Sequence, residues 1–243
     1  MDFKNKVVLI TGASRGIGRA TALAFAKAGA NVVVNYFQAE PKDVIEKIKE
    51  IGSVVIGVKA DISQEDQVKN LIAETISKFG RIDILVNNAG IAFDESYEDK
   101  TVEKWSRTLN VNLVGQFLTI KHAIPFLSDG AKIVNVSSTN AINAFSPEAM
   151  DYDASKAGVI VLTKDFAKIL ADKKILVNAI APGWVNTDMN KDLPADFVES
   201  ETDKIWLKRF AEPEEISHLV MFLSSDLNTF ITGQVFIIDG GHD

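Results

Sequence analysis

A chain of 243 residues, 47% of them apolar and 24% charged, is long enough to bury a large core and too hydrophobic to stay disordered. The absence of cysteine excludes disulfides, thiolate nucleophiles and thiolate metal sites, and the three histidines, His122, His218 and His242, are too scattered for a helix-borne metal pair. A net charge of −7 disfavours nucleic acid and anionic membranes as partners; no apolar run reaches the length of a signal-peptide core or a membrane span, so the expected location is the cytoplasm.

Short β-branched runs alternate with helical patterns from end to end. Val7–Ile10 leads directly into Thr11-Gly12-Ala13-Ser14-Arg15-Gly16-Ile17-Gly18, which opens a helix closed by Gly29. Further strands are expected at 32–35, 54–59, 82–86, 133–137, 176–180 and Val235–Ile238. Between them, Pro41 stands at the first position of a helix that Gly52 ends, Ser63 precedes Gln64-Glu65-Asp66 as a cap, and Pro213 precedes Glu214-Glu215. Such alternation predicts an α/β fold: one domain over 1–243, with a seven-stranded parallel sheet covered by helices on both faces. Residues 186–209 form a long, charged insertion after the sixth strand, where a segment of this kind covers a ligand site.

The glycine-rich turn suits an anion. Its glycines remove side chains where a pyrophosphate approaches, and the helix behind it presents free N–H groups and the positive end of its dipole. The end of the second strand, Val34-Asn35-Tyr36-Phe37-Gln38, has no carboxylate to bond adenosine ribose hydroxyls, whereas Arg15 adds a positive charge and Ser14 and Asn35 add donors. That set predicts a 2′-phosphate, hence NADP(H), against the plainer use of Arg15 as a solvated loop charge. Two uses are open to Asp61 after the third strand: bonding an adenine amino group or capping the next helix. Asn87-Asn88-Ala89-Gly90 follows the fourth strand with small and amide side chains that let backbone pass close to a ligand.

Tyr152 and Lys156 are spaced i and i+4, so on a helix a phenol and an ammonium face one cleft. A free phenol has a pKa near ~10. A positive charge roughly 4 Å away contributes on the order of 4 kcal/mol at an effective dielectric of about 20, enough to draw the phenol down toward neutrality. The expectation is a tyrosine acid–base group tuned by the lysine.

With Thr11-Gly12-x-x-x-Gly16-x-Gly18, Asn87-Asn88-Ala89-Gly90, Asn112, Ser138, Tyr152-x-x-x-Lys156, and Pro182-Gly183 with Thr187 in order, the chain resembles the short-chain dehydrogenase/reductase family over essentially its whole length. The resemblance implies a doubly wound, Rossmann-type fold. It implies that Tyr152 donates or removes the proton of a carbonyl/alcohol oxygen, Ser138 orients that oxygen, Lys156 lowers the tyrosine pKa and holds the nicotinamide ribose, and Asn112 anchors a proton-refilling water chain. Around NADP(H) it places Gly12, Ser14, Arg15, Gly16, Ile17, Gly18, Asn35, Tyr36, Asp61, Ile62, Asn88, Ala89 and Gly90, and, at the nicotinamide, Pro182, Gly183, Val185 and Thr187. It also implies a homotetramer formed through the helices of Asn112 and Tyr152 and the segment near Gly240-Gly241.

Within the family, residues 208–215 and Thr232-Gly233-Gln234 are similar to 3-oxoacyl-acyl carrier protein reductases of fatty acid biosynthesis, which implies a β-ketoacyl thioester substrate and acyl carrier protein as partner. Lys173 and Lys174 are then candidates to steer an acidic carrier. Reductases of small alcohols, sugars and other carbonyls share the framework, and a non-catalytic nucleotide-binding protein would share the fold. Ser138 and Tyr152 stand fourteen positions apart, one more than the resemblance implies, so the intervening loop, acidic at Glu148 and Asp151, borders the substrate in its own way.

Overall fold

A computed structural model describes residues 1–38 and 40–242. Strands β1 (Val7–Ile10), β2 (Asn31–Tyr36), β3 (Val55–Lys59), β4 (Ile82–Asn87), β5 (Leu127–Val136), β6 (Leu176–Pro182) and β7 (Val235–Ile238) form one sheet in the order 3-2-1-4-5-6-7. Every neighbouring pair is parallel. The helices are α1 (Gly16–Lys27), α2 (Lys42–Glu50), α3 (Glu65–Phe79), α4 (Val102–Leu109), α5 (Gly115–Ala123), α6 (Met150–Ile169), α7 (Ala195–Lys204) and α8 (Pro213–Ser224).

Strand periodicity explains the two cores. On β1, Val8 and Ile10 point to one face and join Phe25 of α1, Val44 and Ile48 of α2, and Ile216 and Val220 of α8. Leu9 points to the other, among Val68, Leu71 and Ile72 of α3, Leu118 and Ile120 of α5, and Phe166 of α6. Both faces are covered, so the strands read as unbroken apolar runs. The strand order reverses between β1 and β4, and a crevice opens there at the carboxyl ends of the strands.

Several local expectations shift. Pro41 lies one residue before α2 and Ser63 is not the cap of α3, whose cap residue is Gln64; the Ser63 hydroxyl donates to Asp61 Oδ1 at 2.7 Å instead. Strand β5 begins six residues before the expected start, because Leu127 pairs with Ile82 across a register shift that the Ser-Asp-Gly composition of 128–130 conceals. Glycines close two helices as expected, with Gly29 at φ 86° and Gly52 at φ 92°. Pro213 does open α8, where the Glu212 N–H donates to Glu215 Oε2 at 2.8 Å in a capping box. No helix among the described residues is long and apolar enough to cross a membrane.

Candidate functional site

The glycine turn and the loop after β4 are laced together at the crevice. Thr11 Oγ1 accepts from the N–H groups of Asn88 (3.0 Å) and Ala89 (3.1 Å), while Asn88 Nδ2 donates to the carbonyls of Thr11 and Gly12, each at 3.0 Å. Little room is left for side chains. Gly12 sits at φ 62°, and a Cβ there would lie 2.7 Å from Ala89 Cα; one on Gly18 would lie 2.4 Å from the Gly12 carbonyl oxygen.

The first turn of α1 carries no acidic residue and no side-chain cap, so its N–H groups face the crevice unneutralised. Arg15 is exposed and makes no ion pair among the described residues, with Ser14 beside it. An open cleft of about 750 Å³ runs from Ser14, Arg15 and Gly16 to Thr187 and Lys191. A bare backbone cradle, a helix N-terminus and a free guanidinium fit a phosphorylated dinucleotide. Ile17, on the inner side of α1, packs against the core.

Asn35 departs from its expected role. It is buried, its Oδ1 accepts from the Gly12 N–H at 3.2 Å, and its Nδ2 donates to the carbonyls of Val58 (3.3 Å) and Ala60 (3.1 Å). An amide so occupied pins the glycine turn to β3 and has no donor left for a phosphate. Tyr36 is half-buried at the end of β2, its ring edge 3.4 Å from where a Cβ on Gly57 of β3 would be. Asp61 does not cap α3, whose cap residue is Gln64: its Oδ1 accepts from the Ser63 N–H at 3.0 Å and from the Ser63 hydroxyl ahead of the helix, and its Oδ2 pairs with Arg107 at 2.9 Å. Burial works against its charge, but those bonds outweigh it and hold the carboxyl below its ordinary range. The Ile62 side chain is buried against the backbone of Gly115, so only its main chain reaches the crevice.

One strand away, four predicted residues meet. Ser138 follows β5, Tyr152 and Lys156 share a face of α6, and Asn112 lies in a single π-helical turn, Asn110–Val114, between α4 and α5. Lys156 Nζ is 5.5 Å from the centre of the Tyr152 ring. A Cβ on Gly90 would stand 3.4 Å from both Lys156 Nζ and Asn112 Oδ1, so the Asn-Ala-Gly loop brings them together. The Asn112 amide clamps Ile91, accepting from its N–H and donating to its carbonyl at 2.9 Å each, and donates to Ser155 Oγ at 3.0 Å. Both amide N–H donors and one lone pair of Oδ1 are so used, which fixes the loop after β4 against α6.

The electrostatics reverse one expectation. Burial pushes the Tyr152 phenol up to about 12, aided by the charges of Asp153 and Asp94 and opposed by a hydrogen bond with Ser138. Lys156 is 2% exposed, and burial lowers its pKa to about 8. Its ammonium is turned to the Val136 carbonyl at 2.8 Å, so in the protein alone it does not draw the phenol toward neutrality.

The last strands complete the wall. Thr139 Oγ1 donates to the Pro182 carbonyl at 3.4 Å, and Gly183 fits beside Asp239, which a Cβ would approach to 2.8 Å. Val185 is buried and bridged to Ala211, while Thr187 reaches the glycine turn, its Cγ2 lying 3.2 Å from where a Cβ on Gly16 would be. The 186–209 insertion holds α7, anchored by Trp184, whose Nε1 donates to Glu201 Oε2 at 3.0 Å and whose ring stacks on Phe210.

Residues that the sequence did not single out complete the walls. Lys100 and Asp151 form a buried ion pair at 2.6 Å, and Asn140 Nδ2 donates to Asp153 Oδ1 at 2.8 Å while the Asn140 N–H donates to Ser138 Oγ at 3.2 Å. Asp151 was visible only as a loop charge, and nothing in the spacing connects it to Lys100, 51 positions away. Lys173 and Lys174 fail as guides to this site: they precede β6, at the opposite edge of a parallel sheet, roughly 20 Å from the Pro182 end at 3.3 Å per residue.

An anion cradle at a strand-order switch point, one strand from a phenol, a hydroxyl and an ammonium, defines a nucleotide-dependent oxidoreductase of the open α/β kind. A family model described as "Enoyl-(Acyl carrier protein) reductase" matches residues 12–243. The chain is 42% identical over 244 residues to the 3-oxoacyl-[acyl-carrier-protein] reductase FabG of Thermotoga maritima, covering 99% of each, and 42% identical over 241 residues to a 3-oxoacyl-[acyl-carrier-protein] reductase of Synechocystis, covering 97% of this chain and 96% of the other. A short-chain dehydrogenase from Burkholderia cenocepacia, solved in complex with NADP, superposes with a TM-score of 0.95 at 32% identity over 99% of both chains. The chain belongs to the short-chain dehydrogenase/reductase family.

Proposed function

We propose that this enzyme uses NADPH to reduce a 3-oxoacyl thioester carried by acyl carrier protein, as one domain whose 186–209 segment covers the substrate. The observation that carries the reading is the meeting of the Ser138 and Tyr152 hydroxyls at the carboxyl end of β5, beside Lys156. Two hydroxyls converging on one point suit a carbonyl oxygen that is to be oriented and protonated, and the names of the relatives favour 3-oxoacyl reduction over the reaction in the family model's description.

The nicotinamide supplies the hydride when bound. Gly12, Gly16 and Gly18 leave room for its diphosphate at the N-terminus of α1, Ser14 and Arg15 take the 2′-phosphate, and Tyr36, Ile62, Asn88, Ala89 and Gly90 line the adenosine side. Pro182, Gly183, Val185 and Thr187 hold the nicotinamide side. Ser138 orients the substrate oxygen and Tyr152 gives it a proton; Lys156 would hold the ribose hydroxyls of the bound nucleotide, where its charge would make the phenol a better acid. Asn112 holds the loop that shapes this corner. The phosphorylated cofactor in the Burkholderia structure supports the NADP(H) assignment.

A second reading, reduction of a small uncharged carbonyl, is favoured by the mouth of the cleft. Asp94, Glu95, Glu98 and Asp99 lie on one loop and Glu148 on its neighbour, joined where the Glu95 N–H donates to the Glu148 carbonyl at 3.1 Å. This charge repels an acidic carrier. We also propose a cytoplasmic homotetramer, supported by apolar side chains exposed on α5 and α6, such as Phe117 and Val161, and by Trp206 and Leu207 beside the Gly240-Gly241 segment.

The test is NADPH oxidation with acetoacetyl groups on acyl carrier protein and on a small thiol, against small ketones, aldehydes and sugars. A preference for the carrier-bound thioester supports the first reading, and a preference for a simple ketone or sugar replaces it with the second. Higher catalytic efficiency with NADH would overturn the cofactor assignment.

A further inference from the structure

The helix that carries Tyr152 starts without a cap of its own. The residue before α6 is Ala149, which offers no side-chain acceptor; within the first turn, Met150 to Asp153, the Asp153 carboxylate accepts from the Ser146 N–H at 2.9 Å and from Asn140 Nδ2 at 2.8 Å. A second anchor comes from farther away in the sequence.

Lys100 reaches this turn from the loop after β4. An ammonium has three N–H donors, and all three are used: on the Phe93 carbonyl at 2.7 Å, the Glu148 carbonyl at 2.8 Å and Asp151 Oδ1 at 2.6 Å. The second oxygen of Asp151 accepts from Thr108 Oγ1 of α4 at 2.6 Å. Both charged side chains are inaccessible, Lys100 at 2% and Asp151 at 0% exposure, and every polar atom of the pair has a partner. Buried pairs on this pattern are dear to desolvate and specify geometry more than they add stability. Here the geometry joined is the loop 91–100, the turn Pro147–Ala149, α4 and the first turn of α6: both walls of the cleft and the element bearing the phenol.

We propose that Lys100 and Asp151 are positioning residues for the reaction, a buried charge clamp that fixes the first turn of α6 and sets the direction of the Tyr152 hydroxyl toward Ser138. Neither residue reaches the crevice of the cofactor. The clamp acts through the neighbouring residue in the chain, because fixing the Asp151 carboxylate fixes the rotation of the turn in which Tyr152 is next. A misplacement of the acid by about 1 Å costs on the order of a hundredfold in rate. The inference rests on Tyr152 being the proton donor.

The variants are Lys100→Met, Asp151→Asn, the double Lys100→Met/Asp151→Asn, and Tyr152→Phe, each measured for kcat and KM with the best carbonyl substrate, NADPH affinity by fluorescence, and thermal midpoint. Each single change leaves one buried charge or its partner orphaned and lowers both kcat and the midpoint; the double change orphans no charge, though the Phe93 and Glu148 carbonyls still lose a donor, and regains most of the midpoint. Under the clamp, kcat of the double variant stays on the order of tenfold to a hundredfold down while NADPH affinity holds within about twofold, since the loss is in the placement of the acid. If the singles fail to fold, the double carries the test by itself. Recovery of kcat together with the midpoint in the double variant, or full kcat in the singles, sinks the clamp as a positioning device. Activity surviving in Tyr152→Phe overturns the assignment of the acid instead, so the two failures are told apart.

Discussion

Burial shifts Tyr152 and Lys156 toward their neutral forms: the phenol has its pKa pushed up to about 12, and the amine has its pKa lowered to about 8, so that it is still charged at neutral pH. The unfolded chain keeps the lysine proton to higher pH than the folded one, so stability gained by unloading Lys156 rises with pH between about 8 and 10.5. The Tyr152 proton is held longer by the folded state, and stability falls between 10 and about 12. At neutral pH the buried ammonium costs about 3 kcal/mol. Replacing it by Lys156→Met therefore helps the fold near neutral pH, and by denaturant titration that advantage shrinks as the pH is raised to about 10. A pH-independent difference between the two proteins would show that burial does not shift Lys156. The Tyr152→Phe enzyme loses about 10²–10⁴ in kcat, the usual worth of a placed proton donor, and keeps its NADPH affinity because the lost hydroxyl takes little surface with it. Residual activity within about tenfold of the unmodified enzyme contradicts the role.

At the level of elements, the turn from β1 to α1 is defined by what it lacks and by what holds it. A methyl group on Gly18 has to displace the Gly12 carbonyl and the Asn88 amide at once, both of them backbone or backbone-bound. Gly18→Ala is expected to lower stability by about 1–3 kcal/mol and to weaken NADPH binding together with it, read by thermal melts and fluorescence titration. Asn35 gives a sharper test, since its two readings part company. As a pin between the glycine turn and β3, Asn35→Ala loses stability, by about 1–3 kcal/mol for stranded buried partners, and leaves the NADPH-to-NADH preference in place. As a phosphate ligand, it would lose the preference. Arg15, exposed and without an ion pair among the described residues, shows the converse pattern: Arg15→Ala leaves the melt unchanged and removes most of the preference, about tenfold to a hundredfold for one charge-assisted bond.

For the molecule as a whole, the exposed apolar side chains on α5 and α6 leave a surface that water does not favour: Val161 is 59% exposed and Phe117 40% exposed, with Lys121 Nζ lying over the Phe117 ring. A tetramer covers such faces. Sedimentation is expected to give a tetramer for the unmodified chain and a smaller assembly for Val161→Glu, whose charge would be buried in the contact. A monomer in the unmodified protein contradicts the assembly.

How far the sequence reaches is plain from where its expectations held and where they moved. The alternation of apolar runs with helical patterns was enough for the parallel sheet and the seven strands, because burial on both faces writes itself into strand centres as Val, Ile and Leu runs, as in Val7–Ile10 and 84–86. The glycine turn and the placing of Tyr152 and Lys156 on one helix face were equally legible, since that placement is set by near neighbours on one turn or one helix face. The occupation of Asn35, the turning of Lys156 to the Val136 carbonyl, the link of Lys100 to Asp151 and the distance of Lys173 from the cleft were decided only in three dimensions. A hydrogen bond or a desolvation penalty depends on which distant backbone or side chain arrives beside a group, and the order of residues along the chain carries no record of that arrival.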